Sequence, residues 1–170
     1  FKNYLNASGN RALELARVAE SVSKELSVTI AVAPPIPSVE IVAQSTNIPV
    51  ISQHMDFNKA GSTTGHIVPE VLRESGAVGS LVNHSEKRIP ISDIAVIVNR
   101  LKDCNMTSIV CARTPQEIAA LTSFSPNYVA IEPPELIGSG TAVSTANPSI
   151  VSDSVESAKK VNQEVMVICG

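Results

Sequence analysis

The segment "TSIVCARTPQEIAALTSFSPNYVAIE", residues 107–132, contains two apolar runs separated by a helical pattern. The runs 107–112 and 127–132 are continuous rather than alternating, which is typical of strands buried on both faces of a parallel sheet. Between them, Thr114 and Pro115 supply a helix cap and a first-turn proline. The segment therefore predicts a strand–helix–strand unit, and with it an α/β fold.

The same alternation extends along the rest of the chain, and we predict a single domain over residues 1–170. Further apolar runs lie at 27–34, 48–53, 77–84 and 164–170, and further helical patterns at 10–26, 38–45, 69–75, 91–103 and 147–161. The helical spacing within the pattern 10–26 predicts a buried face formed by Leu15, Val18, Ala19, Val22 and Leu26. The pattern alone leaves two architectures open, an open doubly wound sheet and a barrel of eight units.

The composition indicates a folded domain with a reduced interior. Hydrophobic residues make up 44% of the chain and charged residues 17%, which argues against disorder. The net charge of −3 gives no electrostatic footprint for nucleic acid, and no apolar run is long enough for a membrane span. Cys104, Cys111 and Cys169 show no paired spacing, which predicts buried, reduced thiols in a cytoplasmic protein.

Polar residues at the ends of the predicted strands are the candidates for chemistry. Gln53, His84 and Glu132 each follow a different apolar run. A histidine and a glutamate at two strand exits suit proton transfer if the sheet brings those exits together. Ser85 is a possible helix cap and Glu86 a favourable first-turn acid, so we predict a helix N-terminus that holds His84 neutral.

Several cofactor sites have no support in the sequence. The histidines at 54, 66 and 84 lack metal-ligand spacing, "GSGTAV" (138–143) lacks the third glycine of a dinucleotide fingerprint, and a Walker motif is absent. Backbone N–H groups at Gly138 and Gly140 are suited to one phosphate, although a plain turn is the alternative. The long connection containing 59–66 indicates either a functional or interfacial loop, or a surface loop.

Four motifs together resemble the triosephosphate isomerase family in its shorter archaeal form. They are "FKNY" (1–4), "GSTTGH" (61–66), "NHSEKR" (83–88) and "AIEPPELIGSG" (130–140). The resemblance implies a TIM (β/α)8 barrel, incomplete in this chain, from the end of strand 1 through strand 7. It also implies an isomerase of glycolysis and gluconeogenesis that interconverts dihydroxyacetone phosphate and D-glyceraldehyde 3-phosphate by enediolate proton transfer, without a cofactor.

The resemblance assigns roles to individual residues. It implies that Glu132 is the catalytic base, that His84 is a neutral electrophile, and that Lys2 is an electrostatic stabiliser in contact with substrate. Ile137 and Gly138 match the part of the mobile lid that lies at the substrate phosphate.

Further residues match supporting and interfacial positions of the family. Glu86 matches the acidic residue near the active-site lysine, and Gln53 at its strand exit is expected to support the site. Thr64 and Gly65 match the tip of a loop that inserts into a neighbouring subunit, which implies a homodimer or homotetramer. Cys111 matches a buried cysteine of the family.

The chain also departs from the family pattern. The asparagine expected before Phe1 is missing, and so are the final loop, strand and phosphate-binding loop expected after Gly170. We therefore expect these 170 residues alone to be inactive. Two alternatives remain, a non-catalytic flavodoxin-like binding domain and another phosphate-binding barrel enzyme.

Overall fold

A computed structural model describes residues 1–169 and contains one parallel β-sheet flanked by helices. The strands are β1 (Ile51–Ser52), β2 (Gly79–Val82), β3 (Thr107–Ala112), β4 (Tyr128–Ile131) and β5 (Met166–Cys169). The α-helices are α1 (Asn10–Leu26), α2 (Val39–Ser45), α3 (Pro69–Glu74), α4 (Ile91–Asp103), α5 (Pro115–Thr122), α6 (Val143–Ala146) and α7 (Pro148–Val161). Short 3₁₀ turns cover Leu5–Ala7, Ile36–Ser38 and Pro134–Leu136. The last residue of the predicted run 164–170, Gly170, lies outside the described residues.

The order of the strands decides between the two architectures. The sheet runs β1–β2–β3–β4–β5, in chain order, and every neighbouring pair is parallel. A doubly wound sheet reverses its strand order at a switch point, whereas a barrel adds each strand next to the previous one. The fold is therefore part of a TIM barrel, and all the strand ends that precede helices lie at one edge.

The first predicted strand, 27–34, forms only one bridge. Val32 pairs with Val50, and its N–H donates to the Pro49 carbonyl at 3.0 Å. Pro34, the last residue of the run, and Pro35 after it have no N–H to donate to a ladder. A second neighbouring strand beyond this run is absent from residues 1–169, so the run has too little pairing to become a regular strand.

Helix α1 has the predicted bounds but not the predicted buried face. Ala12 and Ala16 are fully buried, whereas Val18 is 62% and Leu26 is 63% exposed. Leu15 and Val22 are exposed as well, and only Ala19 of the predicted set packs against the core. The helix carries two apolar stripes, and the alanine stripe allows its backbone to approach the core most closely.

The cysteine prediction is correct for two of the three thiols. Cys104 and Cys111 are free and buried, whereas Cys169 is free and exposed on β5. Among the described residues, no helix is both long enough and apolar enough to cross a bilayer.

Candidate functional site

The residues that follow β2 and β4 meet above the sheet. Glu132 comes directly after β4, and its N–H extends the ladder by donating to the Ala112 carbonyl at 2.8 Å. His84 lies two residues beyond the end of β2. Their side chains touch, with His84 Nε2 3.0 Å from Glu132 Oε1. Two residues 48 positions apart in the chain are thus brought into direct contact by parallel strand ends.

The backbone around His84 differs from the prediction. Residues 84–87 form a turn closed by the Lys87 N–H and the His84 carbonyl at 2.8 Å, and helix α4 begins only at Ile91. The predicted helix start at Ser85 is wrong because Pro90 disfavours a helical backbone at Ile89 and has no N–H to donate.

A backbone hydrogen bond, rather than a helix terminus, defines the state of the His84 ring. The Glu86 N–H donates to His84 Nδ1 at 3.2 Å. A ring nitrogen that accepts a hydrogen bond carries no proton, so the remaining proton is on Nε2. In this arrangement Nε2 is the ring nitrogen that can donate, and it faces Glu132.

Glu132 is held by groups from the loop after β2. The Ser85 N–H donates to Oε2 at 2.9 Å, and the side chain is only 15% exposed. Cys111 on β3 lies beside it, and burial, followed by the negative charge of Glu132, raises the pKa of the Cys111 thiol. The carboxylate thus sits in a partly desolvated place where each oxygen has a donor.

Lys2 and Glu86 form an ion pair at the mouth of the site. Lys2 Nζ is 2.6 Å from Glu86 Oε1, and both side chains are about half exposed. The hydrogen bond raises the pKa of Lys2 and lowers the pKa of Glu86, so both groups are charged near neutral pH. Gln53 supports Lys2 indirectly. Its Nε2 donates to the carbonyls of Phe1 (2.5 Å) and Ala33 (3.1 Å), which holds the segment that carries Lys2.

Three of the predicted site residues described above line a cavity of about 390 Å³, whereas Gln53 and Glu86 do not. Lys2, His84 and Glu132 form one side. The opposite side is the segment after Glu132, and it contributes Ile137, Gly138 and Gly140. Gly138 and Gly140 have φ values of 71° and 76°, and a Cβ at either position would meet no atom within 4 Å. The predicted catalytic and phosphate-side residues are therefore brought together around one space.

The loop that carries Thr64 and Gly65 lies outside this cavity. Its base is closed by the Asp56 N–H to the Ile67 carbonyl and by the Ile67 N–H to Asp56 Oδ2, both at 2.8 Å. Thr64 and Gly65 at the tip are exposed. Gly65 also borders a second cavity of about 640 Å³, which shares Lys2 and His84 with the first.

The other two histidines belong to the base of this loop. His54 Nε2 is 3.1 Å from Asp56 Oδ1, and His66 Nδ1 is 3.6 Å from Asp56 Oδ2. Within residues 1–169, no group of three His, Cys, Asp or Glu side chains is arranged to hold a metal ion.

Sequence reasoning missed three parts of the site. The Ser85 N–H contacts Glu132 directly, Arg88 Nη2 lies 3.7 Å from Glu132 Oε2, and buried Asn83 braces the turn with a φ of 60°. All three lie within "NHSEKR", but only the pairing of β2, β3 and β4 shows that this turn faces Glu132.

Comparison with known proteins gives one consistent family. The family model described as triosephosphate isomerase matches residues 1–170. The whole chain is 44% identical to a triosephosphate isomerase of Methanocaldococcus jannaschii and covers 78% of it. It is 46% identical to one of Methanothermobacter thermautotrophicus and 48% identical to one of Methanothermus fervidus, covering 74% and 77% of these proteins.

Proposed function

Because the chain belongs to the triosephosphate isomerase family, we propose that Glu132, His84 and Lys2 catalyse the interconversion of dihydroxyacetone phosphate and D-glyceraldehyde 3-phosphate. The single observation that carries the assignment is the 3.0 Å contact between Glu132 Oε1 and His84 Nε2. It pairs an acceptor for a carbon-bound proton with a neutral donor for the adjacent oxygen, and enolisation requires these two groups.

The reaction follows from these groups. Substrate enters the cavity between His84 and the 137–141 segment, and the carboxylate of Glu132 exchanges its resting partners for the substrate carbon. Glu132 removes a proton from the carbon next to the carbonyl, and the Nε2–H of His84 donates to the oxygen that becomes negative. The hydroxyl proton of the enediolate passes to the other oxygen through the His84 ring, and Glu132 returns the carbon-derived proton to the neighbouring carbon, which gives the neutral hydroxyaldehyde. The cation of Lys2 stabilises the enediolate and the phosphate dianion electrostatically.

The phosphate side of the cavity is assigned to the backbone at Ile137 and Gly138. Small, exposed glycines let backbone N–H groups approach an anion closely. Pro133 and Pro134 stiffen the connection between Glu132 and this segment. Movement of the segment over the substrate would exclude water while the proton is in transit.

The assay that tests this function is isomerisation of dihydroxyacetone phosphate, coupled to a dehydrogenase that consumes glyceraldehyde 3-phosphate. The whole encoded protein is expected to be active, and a polypeptide of residues 1–170 to be inactive. Among the described residues, the phosphate side of the cavity is formed by the chain from Pro133 to Val143, which is exposed from 137 to 142. Strand β5 leaves an unpaired edge with Met166 56% exposed. Turnover by the 170-residue polypeptide would contradict the second expectation.

A homodimer or homotetramer is part of the proposal, with Thr64 and Gly65 at the contact between subunits. The closed base of the loop and its exposed tip support this, because a rigid projecting loop can enter a neighbouring cavity. Light scattering on the whole encoded protein should give a multiple of the chain mass, and Thr64→Arg should lower it. The exposed Ser21→Arg on α1 is the control, and a monomeric parent protein would exclude the idea.

A cytoplasmic location completes the proposal. It rests on the place of the reaction in glycolysis and gluconeogenesis and on the free thiols Cys104 and Cys111. A cleaved export signal on the whole encoded protein would contradict it.

A further inference from the structure

Arg88 is the charged residue near Glu132 to which the proposed mechanism gives no task. Its Nη2 lies 3.7 Å from Glu132 Oε2, too far for a hydrogen bond but within ion-pair distance. The side chain is 27% exposed, so solvent screens the pair only in part.

The guanidinium is fixed by backbone groups and not by Glu132. Its Nη1 donates to the Asn83 carbonyl at 2.6 Å and to the Cys111 carbonyl at 3.1 Å. Asn83 secures the same corner, because its Nδ2 donates to the Cys111 carbonyl at 2.9 Å and its Oδ1 accepts from the Ile89 N–H at 3.1 Å. Arg88 is thus attached to the ends of β2 and β3, with its second NH₂ group facing the carboxylate.

We propose that Arg88 is a positioning residue for Glu132, a fixed positive charge that attracts the carboxylate to the strand end while leaving it free to swing towards substrate. Glu132 already accepts from the Ser85 N–H and contacts His84, and a third direct hydrogen bond, from Arg88, would add to what the base must break when it moves. A charge at 3.7 Å attracts the carboxylate without occupying a lone pair. This inference rests on the proposed role of Glu132 as the base.

The other groups around Glu132 do not supply this charge. The Nδ1 atom of His84 accepts from the Glu86 N–H, and burial raises the pKa of the Cys111 thiol, so that thiol stays protonated. Lys2 does interact electrostatically with Glu132, but its hydrogen bond is to Glu86 at 2.6 Å and its side chain is half exposed, so it is less fixed than Arg88. Glu117 also lies within the field of Arg88, but it is bonded to Arg113.

Removing a positive charge from beside a carboxylate disfavours the charged form of that carboxylate. The acidic limb of the kcat/KM profile should therefore move to higher pH in Arg88→Gln.

The test is the pH profile of kcat/KM for Arg88→Gln and Arg88→Lys in the whole encoded protein. For Arg88→Gln we expect kcat to fall about 10- to 100-fold and the acidic limb to move upwards, because the base is both less ionised and less well placed. Arg88→Lys should leave the acidic limb at the pH of the parent, because the positive charge is kept. Its kcat should lie between those of Arg88→Gln and the parent, because one ammonium group cannot reach both carbonyls and the carboxylate. Arg113→Gln, an exposed arginine paired with Glu117, is the matched control and should match the parent.

The outcomes separate this inference from the proposed function. An inactive parent protein would refute the proposed function, whereas an active parent with an unmoved acidic limb in Arg88→Gln would refute only the role of Arg88. Circular dichroism checks folding, because Arg88 also joins two strand ends. If Arg88→Gln does not fold, Arg88→Lys provides the test. An acidic limb of the kcat/KM profile that moves in Arg88→Lys would contradict the positioning charge. An unmoved acidic limb together with a lowered kcat would support it.

Discussion

Glu132→Asp is expected to lower kcat by about 100-fold or more, because the shorter side chain withdraws the carboxylate by about one ångström or more from the carbon it must deprotonate. Glu132→Gln removes the base altogether and should cost roughly 10³- to 10⁴-fold. In both variants KM should change by less than about threefold, since the lost interaction is made in the transition state. Steady-state kinetics of the whole encoded protein measure the effect.

The matched control for this change is Glu135→Asp. Glu135 lies three residues further on, in the exposed Pro134–Leu136 turn. The same loss of one methylene there should leave kcat within about twofold of the parent, as is usual for surface changes. If Glu132→Asp were as active as Glu135→Asp, Glu132 would not be the base.

His84→Gln should be the second most damaging change, with kcat about 10²- to 10³-fold lower. Its imidazole presents Nε2–H to the space where the substrate oxygens must lie, and the ring orientation is set by the Glu86 N–H at Nδ1. A glutamine amide can donate too, but it lacks this backbone anchor. The substrate oxygen would therefore lose a preorganised donor at the moment that it gains charge.

His54→Gln serves as the comparison for the histidine change. His54 follows β1 and contacts Asp56 through Nε2 at 3.1 Å, and the Nε2 of a glutamine can donate to the same carboxylate. We expect its kcat to stay within about threefold of the parent. Equal losses in His84→Gln and His54→Gln would point to a general effect on folding and would remove the specific role of His84.

The sequence predicts the layout of the fold well because strand and helix periods are local signals. Five of the six apolar runs contain a regular strand, and the six predicted helices form within one or two residues of their expected bounds. The exception, 27–34, depends on a neighbour across the sheet edge, which a local pattern does not reveal. Sequence reasoning also missed the short helix α6 and predicted the wrong buried face for α1. Both features depend on tertiary packing.

The residue types of the candidate site were predictable from the sequence, but the contacts between them were not. Strand exits identify Glu132 and His84, and the family motifs add Lys2. The contact of the Ser85 N–H with Glu132 and the anchoring of Arg88 depend on which strands are neighbours and on the turn at 84–87. A capping pattern at Ser85 suggested a helix N-terminus beside His84, but residues 84–87 form only a turn, and the next helix begins at Ile91, as its own pattern predicts.

The most direct test of the account is isomerisation in D₂O by the whole encoded protein, with mass spectrometry or NMR used to locate deuterium in the product. If Glu132 carries the transferred proton, a fraction of that proton will exchange with D₂O before it reaches the second carbon. Part of the glyceraldehyde 3-phosphate made from dihydroxyacetone phosphate should therefore carry deuterium at C2. Glu132→Gln should give almost no labelled product. Full turnover with no deuterium at that carbon would indicate direct hydride transfer and would contradict proton abstraction by Glu132.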